Sequence, residues 1–228
     1  RDNFGTRMNT IFKFYYQAWL LFGVSGAYVV VRTLTRAVQR RTGSALASVA
    51  PVTVGLLLML GATLFTVAGA YAKTNGFASD TPTFNAIAFV EQTRPGEWAA
   101  IQWVRDSTAP DALVLEGKGG SYRADHNRIS TATGRPTLLG WEGHESQWRG
   151  KSYGDMAGNR AATLELIYRL GSVDEILFAL DQWDIDYVYV GPNEREQYGI
   201  TPGTEERLAQ SMELVFDADG IRIYRRRG

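Results

Sequence analysis

The sequence contains no cysteine and only two histidines among its 228 residues. The lack of cysteine excludes disulfides, thiolate catalysis and cysteine-based metal sites. Lys plus Arg and Asp plus Glu each number 24, so the formal net charge is +0. A balanced charge gives no sign of a nucleic-acid partner, and we expect none.

Charge is also missing locally, in two long stretches. Residues 45–72 carry no charged side chain, and residues 10–31 carry only Lys13. A helix of about 20 apolar residues spans the hydrocarbon core of a bilayer. The sequence therefore predicts two transmembrane helices, with the lipid bilayer as a partner.

The connector between these stretches is rich in arginine and has no acidic residue. It carries Arg32, Arg36, Arg40 and Arg41. Because cytoplasmic loops carry an excess of Lys and Arg, the connector is predicted to be cytoplasmic. The protein is then integral to the cell membrane, and everything after the second helix lies on the extracytoplasmic side.

The pattern divides the chain into five predicted segments. They are an outer N-terminal segment with the first transmembrane helix (1–31), a cytoplasmic loop (32–44), the second transmembrane helix (45–72), a juxtamembrane linker (73–96) and an extracytoplasmic domain (97–228). In that domain a helical pattern (Trp98, Ile101 and Val104) alternates with apolar strands at 112–115 and 186–191. This alternation predicts a small mixed α/β domain.

Three local signals add elements near the end of the chain. Ser172–Glu175 is a capping box, which predicts the start of a helix. Residues 204–211 predict a short helix. The segments 213–216 and 221–224 predict a hairpin around an Asp-Gly turn.

The stretch Leu115–Gly150 has little periodicity and mixes glycines, arginines, carboxylates, both histidines and two tryptophans. Its turn Gly117–Ser121 follows a strand directly, so its backbone N–H groups and Lys118 favour a phosphate-binding concavity. The sequence is neither a P-loop nor a dinucleotide fingerprint, which leaves an ordinary strand-exit turn as the alternative.

Aromatic rings, arginines and carboxylates in one stretch are also typical of a sugar site. Rings stack on sugar C–H faces, and arginine pairs with phosphate in bidentate fashion. The alternative is a solvated loop with ion pairs. The residues predicted to bind substrate are Glu116, Ser121, Tyr122, Arg128, Trp141, His144, Glu145, Trp148 and Arg149.

His144 and Glu145 begin like a zinc-protease helix, but Trp148 stands where the second histidine belongs. The sequence therefore predicts no metal site and no cofactor, and a divalent metal stays an open alternative that no spacing supports. Lys13, inside a predicted membrane helix, has two interpretations. In the first, Lys13 and Asn9 contact the phosphate of a lipid carrier. In the second, the Lys13 side chain extends to the membrane interface.

Three segments, in order, resemble the YYY membrane proteins (Chlor_Arch_YYY), a family of unknown function. Arg7–Trp19 is similar to the family's helix signature, and Tyr187–Pro192 is similar to a later strand signature. Between them, the matching motifs are Ser121-Tyr122, Arg128–Ser130, Thr133-Gly134, Pro136-Thr137, Gly140-Trp141, His144-Glu145 and Trp148–Gly150.

Proteins of this family are polytopic and resemble the C-type glycosyltransferases, which use polyprenyl-phosphate sugars outside the cytoplasm. The resemblance implies that this chain is the C-terminal part of such a protein, with the remaining transmembrane helices as partners. It implies that the stretch 115–150 helps to bind the sugar donor head group or the acceptor. The key acidic residue of that class lies in an early extracytoplasmic loop outside this chain, so no catalytic residue is assigned.

Two other functions stay open at this point. One is a non-enzymatic, membrane-anchored domain that binds a glycan or a partner protein. The other, which rests on Lys13 alone, is a segment of a transporter.

Overall fold

Helices and a four-stranded sheet make up the chain in a computed structural model that describes residues 7–39, 45–78, 82–121 and 123–227. This content confirms the predicted mixed α/β class. The chain divides into two compact units, Arg1–Pro82 and Thr83–Gly228.

The first unit consists of two long helices, α1 (Met8–Gln39) and α2 (Ala45–Lys73). The spans Met8–Arg36 and Thr53–Lys73 are long and apolar enough to cross a membrane, with mean hydropathies of 1.4 and 1.9. Large apolar side chains on these helices, such as Phe65, are exposed. Apolar surface of that extent fits a lipid environment better than water.

The first helix is longer than predicted. Instead of ending near Val31, α1 continues to Gln39 and takes in Arg32 and Arg36. The predicted loop 32–44 is therefore wrong in its first part. Residues 32–39 contain no glycine or proline to end the helix, and Thr35 Oγ1 donates a hydrogen bond to the Val31 carbonyl at 2.8 Å. Arg40 and Arg41 lie outside the described residues.

The second unit alternates helices with short strands. Its helices are α3 (Ala88–Thr93), α4 (Pro95–Ser107), α5 (Arg128–Thr133), α6 (Glu142–Arg149), α7 (Tyr153–Ala157), α8 (Arg160–Glu165), α9 (Val173–Gln182), α10 (Pro192–Tyr198) and α11 (Pro202–Ser211). A 3₁₀ turn (Gly150–Ser152) precedes α7, and a π-helical turn (Leu166–Leu170) follows α8. Its strands are β1 (Val114–Leu115), β2 (Tyr187–Val190), β3 (Met212–Ala218) and β4 (Ile221–Arg226).

The sheet has the strand order β1-β2-β4-β3. β1 is parallel to β2, with Val114 opposite Tyr187, and the other neighbours are antiparallel. β3 and β4 form the predicted hairpin, and its turn places Asp219 and Gly220 in the left-handed region at φ 47° and 76°. β1 is shorter than the predicted strand 112–115, because only two of its residues pair with β2.

Apolar side chains cover both faces of the sheet. Val188 packs in one cluster with side chains of α8, α9 and the π-helical turn, such as Leu180. Tyr189 packs in another with side chains of α3, α4 and β4, such as Ile101. Because successive strand residues point to opposite faces, these clusters form separate layers and the unit is a three-layer sandwich.

The second half of the predicted linker 73–96 belongs to the second unit, and the apolar run 84–90 predicted there as a helix against the membrane or the domain contributes to α3. The second unit begins at Thr83, and Val90 on α3 is fully buried against Ile101 and its neighbours. Burial of an apolar side chain against a helix of the domain stabilises that domain, so α3 belongs to the second unit. The helix around Trp98 begins at Pro95, where proline occupies the first turn and costs least.

Candidate functional site

The carboxyl ends of β1 and β2 meet at one edge of the sheet, since the two strands are parallel. Glu116 and Gly117 follow β1 there, and Gly191 and Pro192 follow β2. In open α/β sheets, ligands bind in the crevice outside the carboxyl ends of the strands. A ligand-binding site is therefore expected at this edge of the sheet.

Glu194, in the first turn of α10, ties the two strand ends together. Its Oε1 accepts a hydrogen bond from the Gly117 N–H at 2.9 Å, and its Oε2 accepts one from the Gly191 N–H at 2.9 Å. The side chain is buried, and burial raises the pKa of its carboxyl. Glu194 thus fixes the start of both loops, and it is not among the residues predicted for the site.

Glu116 caps α5 from the end of β1. Its two oxygens accept hydrogen bonds from the backbone N–H groups of Ile129 and Ser130, at 3.0 and 2.8 Å. Burial raises the pKa of the Glu116 carboxyl to about 7, against the lowering effect of these hydrogen bonds. With 2% of its surface exposed, this predicted substrate residue faces the interior and orients α5.

Arg128, another predicted substrate residue, is buried against α4. Its Nη1 lies 2.9 Å from Glu97 Oε2, and the two side chains are 8% and 5% exposed. The guanidinium also lies 5.6 Å from the centre of the Phe89 ring. Burial raises the pKa of Glu97 even though Arg128 acts in the opposite direction. This ion pair joins α4 to α5.

The glycine turn after β1 is held by His126 and Tyr198. His126 Nδ1 accepts a hydrogen bond from the Gly120 N–H at 2.7 Å, so a neutral His126 carries its proton on Nε2. A Cβ atom on Gly119 would overlap the His126 ring. The Lys118 N–H donates to the Tyr198 hydroxyl at 3.3 Å, and the Tyr198 ring stacks on Tyr168.

A cleft of about 500 Å³ opens beside this turn, and we call it cleft one. Its lining comes from the glycine turn and its following loop (Lys118, Gly119, Gly120, Arg123 and His126) and from α10 (Asn193, Glu196 and Gln197). The Lys118 ammonium pairs with Glu142 at 2.9 Å, and Arg123 pairs with Asp125 at 2.7 Å. The hydrogen bond from Arg123 lowers the pKa of the Asp125 carboxyl to about 2.

None of the predicted substrate residues that the structure describes lines cleft one. The turn Gly117–Ser121, which is predicted from the sequence to bind phosphate, lines cleft one through Lys118 and two glycines. The lining residues from α10 were not predicted from the sequence. The local signal of α10 is a proline at the first helical position with a glutamate two residues later, which indicates a helix start but no ligand.

Three predicted residues lie behind the turn. The Trp141 indole donates a hydrogen bond to the His126 carbonyl at 3.2 Å. Ser121 Oγ accepts one from the His144 N–H at 3.1 Å, and the His144 ring lies 5.4 Å from the Trp141 ring. These contacts connect α6 to the glycine turn. Tyr122 lies outside the described residues.

The remaining predicted residues lie elsewhere. Glu145 and Arg149 form an ion pair on α6 and line a separate cleft of about 270 Å³, which we call cleft two. Trp148 is 79% exposed. Asn9 and Lys13 belong to α1 of the first unit, where Asn9 is half-buried and Lys13 exposed.

Within the described part of the chain, no group of three or more His, Asp or Glu side chains is arranged to hold a metal ion. No model of a known protein family matches the chain, and no curated protein matches it.

Proposed function

We propose that this chain is the C-terminal portion of an integral-membrane, glycosyltransferase-like protein. In this proposal the second unit lies on the extracytoplasmic side and binds the head group of a polyprenyl-phosphate sugar, or the acceptor, in cleft one. The observation that carries the proposal is the position of cleft one, at the carboxyl ends of two parallel strands and beside a glycine turn with Lys118.

The lining of cleft one suits a sugar phosphate. Lys118 and Arg123 are the cations that can contact a phosphate, and each also pairs with a carboxylate, Glu142 and Asp125 respectively. Asn193, Gln197 and His126 offer donors and acceptors for hydroxyls. A volume of about 500 Å³ falls within the range of small-molecule sites. Two helices able to cross a membrane fit a lipid-linked substrate.

The chemistry assigned to this unit is charge stabilisation. Cleavage of a sugar–phosphate bond leaves negative charge on the departing phosphate, and cations placed there lower the barrier. Glu116, Glu194 and the Glu97–Arg128 pair are occupied in holding the fold, so the proposal gives none of them a catalytic role. The contact of Asn9 and Lys13 with the phosphate of a lipid carrier stays a separate prediction for the first unit, and binding in cleft one does not depend on it.

The test uses the full-length protein in nanodiscs, with a radiolabelled polyprenyl-phosphate sugar. Lys118→Ala and Asn193→Ala should each weaken binding of the sugar phosphate by at least tenfold, since a charge-assisted contact is worth about 1.5–3 kcal/mol. Lys151→Ala is the matched control, because Lys151 is exposed and lines neither cleft. Binding that stays the same in both cleft variants would refute the proposal.

A second candidate is the non-enzymatic one, a membrane-anchored domain that binds a glycan or a protein partner. The buried carboxylates accept hydrogen bonds from backbone N–H groups, so they are not available for catalysis. Among the described residues, Glu196 is then the carboxylate that lines cleft one, which favours this candidate. Sugar binding by the full-length protein without any turnover would support this candidate. Measured transfer to an acceptor would exclude it.

A further inference from the structure

Cleft two is a separate concavity of about 270 Å³. It is lined by the segment after α5, by α6, by α7 and by the start of α8, and its charged and hydroxyl side chains are Glu145, Arg149, Arg160, Thr137 and Tyr153. It shares no lining residue with cleft one. Nothing in the proposed function uses it.

The charge in cleft two does not cancel. Glu145 pairs with Arg149, whose Nη1 also lies 3.7 Å from the Met156 sulfur. Arg160 has no carboxylate within ion-pair distance among the residues that the structure describes. The lining therefore carries one net positive charge.

Arg160 is also held firmly in place. Its guanidinium lies 4.5 Å from the centre of the Trp183 ring, and its Nη1 donates to the Ala157 carbonyl at 3.4 Å and to the Met156 carbonyl. The Trp183 indole is itself fixed by a 3.1 Å hydrogen bond to Thr163 Oγ1. An arginine that is stacked and hydrogen-bonded loses little freedom when an anion binds, which favours recognition.

Two enclosed hydroxyls add to this charge. Thr137 Oγ1 is shielded from solvent and makes no hydrogen bond within the described part of the chain. Tyr153 Oη is shielded as well, but burial and then the neighbouring Glu142 carboxylate raise the pKa of this hydroxyl, so Glu142 can accept its hydrogen bond. A shielded hydroxyl without a partner is costly, so a group from outside the chain is expected to supply one. Leu138 and Met156 add apolar surface next to these hydroxyls.

We infer that cleft two binds a small, singly negative polyhydroxy compound, of the class of a uronic acid. The single uncompensated charge of Arg160 matches one carboxylate. The enclosed Thr137 hydroxyl matches a ligand hydroxyl, and the apolar side chains match the C–H face of a sugar ring. The carboxylate of Glu145 in the lining disfavours a doubly charged phosphate. This inference does not depend on the function proposed for cleft one.

The test is a titration of the full-length protein in nanodiscs with glucuronate, glucose and inorganic phosphate, followed by calorimetry. Glucuronate should bind at least tenfold more tightly than glucose, and more tightly than phosphate. Arg160→Gln should abolish the preference for glucuronate over glucose. Thr137→Val, alone and with Tyr153→Phe, should weaken both sugars at least threefold while preserving side-chain shape.

Controls separate cleft two from general effects. Arg169→Gln removes an exposed arginine that lines neither cleft and should leave all three affinities unchanged. If Arg160→Gln lowers the unfolding temperature, the affinities measured for the near-isosteric Thr137→Val variant are used to test the inference. No glucuronate binding, equal affinity for glucose, or binding unaffected by Thr137→Val would overturn the inference and leave water as the partner of the Thr137 hydroxyl.

Discussion

Glu116 shows how one buried carboxyl group can couple the fold to pH. It is 2% exposed, yet it accepts two backbone hydrogen bonds at the start of α5. Those hydrogen bonds favour the charged form, whereas burial favours the neutral form. Burial prevails and raises the pKa to about 7. The carboxyl group therefore changes charge in the folded protein close to neutral pH.

The expected result is a second unit that is less stable at pH 8 than at pH 5. The folded state binds the Glu116 proton more tightly than the unfolded state, so stability is highest below about pH 4.5 and falls as the pH rises through about 7. Glu97 and Glu194, whose pKa values burial also raises, act in the same direction. Thermal unfolding followed by near-UV circular dichroism between pH 5 and 8 measures the slope.

The matched variants for this measurement are Glu116→Gln and Glu206→Gln. Glu116→Gln removes one of the titrating groups and should reduce the slope between pH 5 and 7, leaving the part that comes from Glu97 and Glu194. Glu206 is exposed on α11, so Glu206→Gln should retain the wild-type slope. A slope in Glu116→Gln equal to that of the wild type would contradict the titration of Glu116 in this pH range.

At the scale of elements, α10 holds the two strand ends that support cleft one. Glu194→Gln keeps one carbonyl oxygen but turns an NH₂ group toward either the Gly117 or the Gly191 N–H, so one buried hydrogen bond is lost. The free energy of unfolding should fall by about 1–3 kcal/mol. Sugar-phosphate binding in cleft one should weaken as well, because the glycine turn loses its support.

Chemical denaturation and a binding titration measure these two effects, and Glu206→Gln again serves as the control. Full stability in Glu194→Gln would contradict the role of Glu194 as the group that ties the strand ends. Reduced stability with unchanged binding would instead show that the glycine turn keeps its shape without α10.

Elements with a local signal were predicted from the sequence, and those with a distant cause were not. The capping box at α9 is confirmed, since the Ser172 N–H donates to Glu175 Oε2 at 2.8 Å and the Glu175 N–H donates to Ser172 Oγ at 3.4 Å. By contrast, α5 was not predicted. Its cap is Glu116, which comes from another element, and the preceding Asn127 adopts a left-handed φ of 52°.

The same reasoning explains how much of the candidate site was predicted. The glycine turn with Lys118 was identified, because glycines and a lysine directly after a strand are a local pattern. Asn193 was not, because it joins Lys118 only through the parallel pairing of β1 and β2. Arg128 was assigned to substrate, since a sequence does not show that its partner is the buried Glu97.

At the scale of the whole molecule, the chain consists of a helical unit that can cross a membrane and a separate three-layer unit. The central prediction is therefore the side of the membrane on which the three-layer unit lies. The arginines at the end of α1 predict that this end is cytoplasmic and that the second unit is extracytoplasmic. Because the chain has no cysteine, single cysteines introduced at exposed positions can be labelled without background.

Arg36→Cys and Lys151→Cys are suitable, since both positions are exposed and belong to different units. In intact cells, a membrane-impermeant maleimide should label Lys151→Cys at once, but should label Arg36→Cys only after permeabilisation. The reverse pattern would place the second unit in the cytoplasm. Lipid-linked donors used outside the cytoplasm would then be out of reach, and the glycosyltransferase-like proposal would fail while the fold and both clefts stood unchanged.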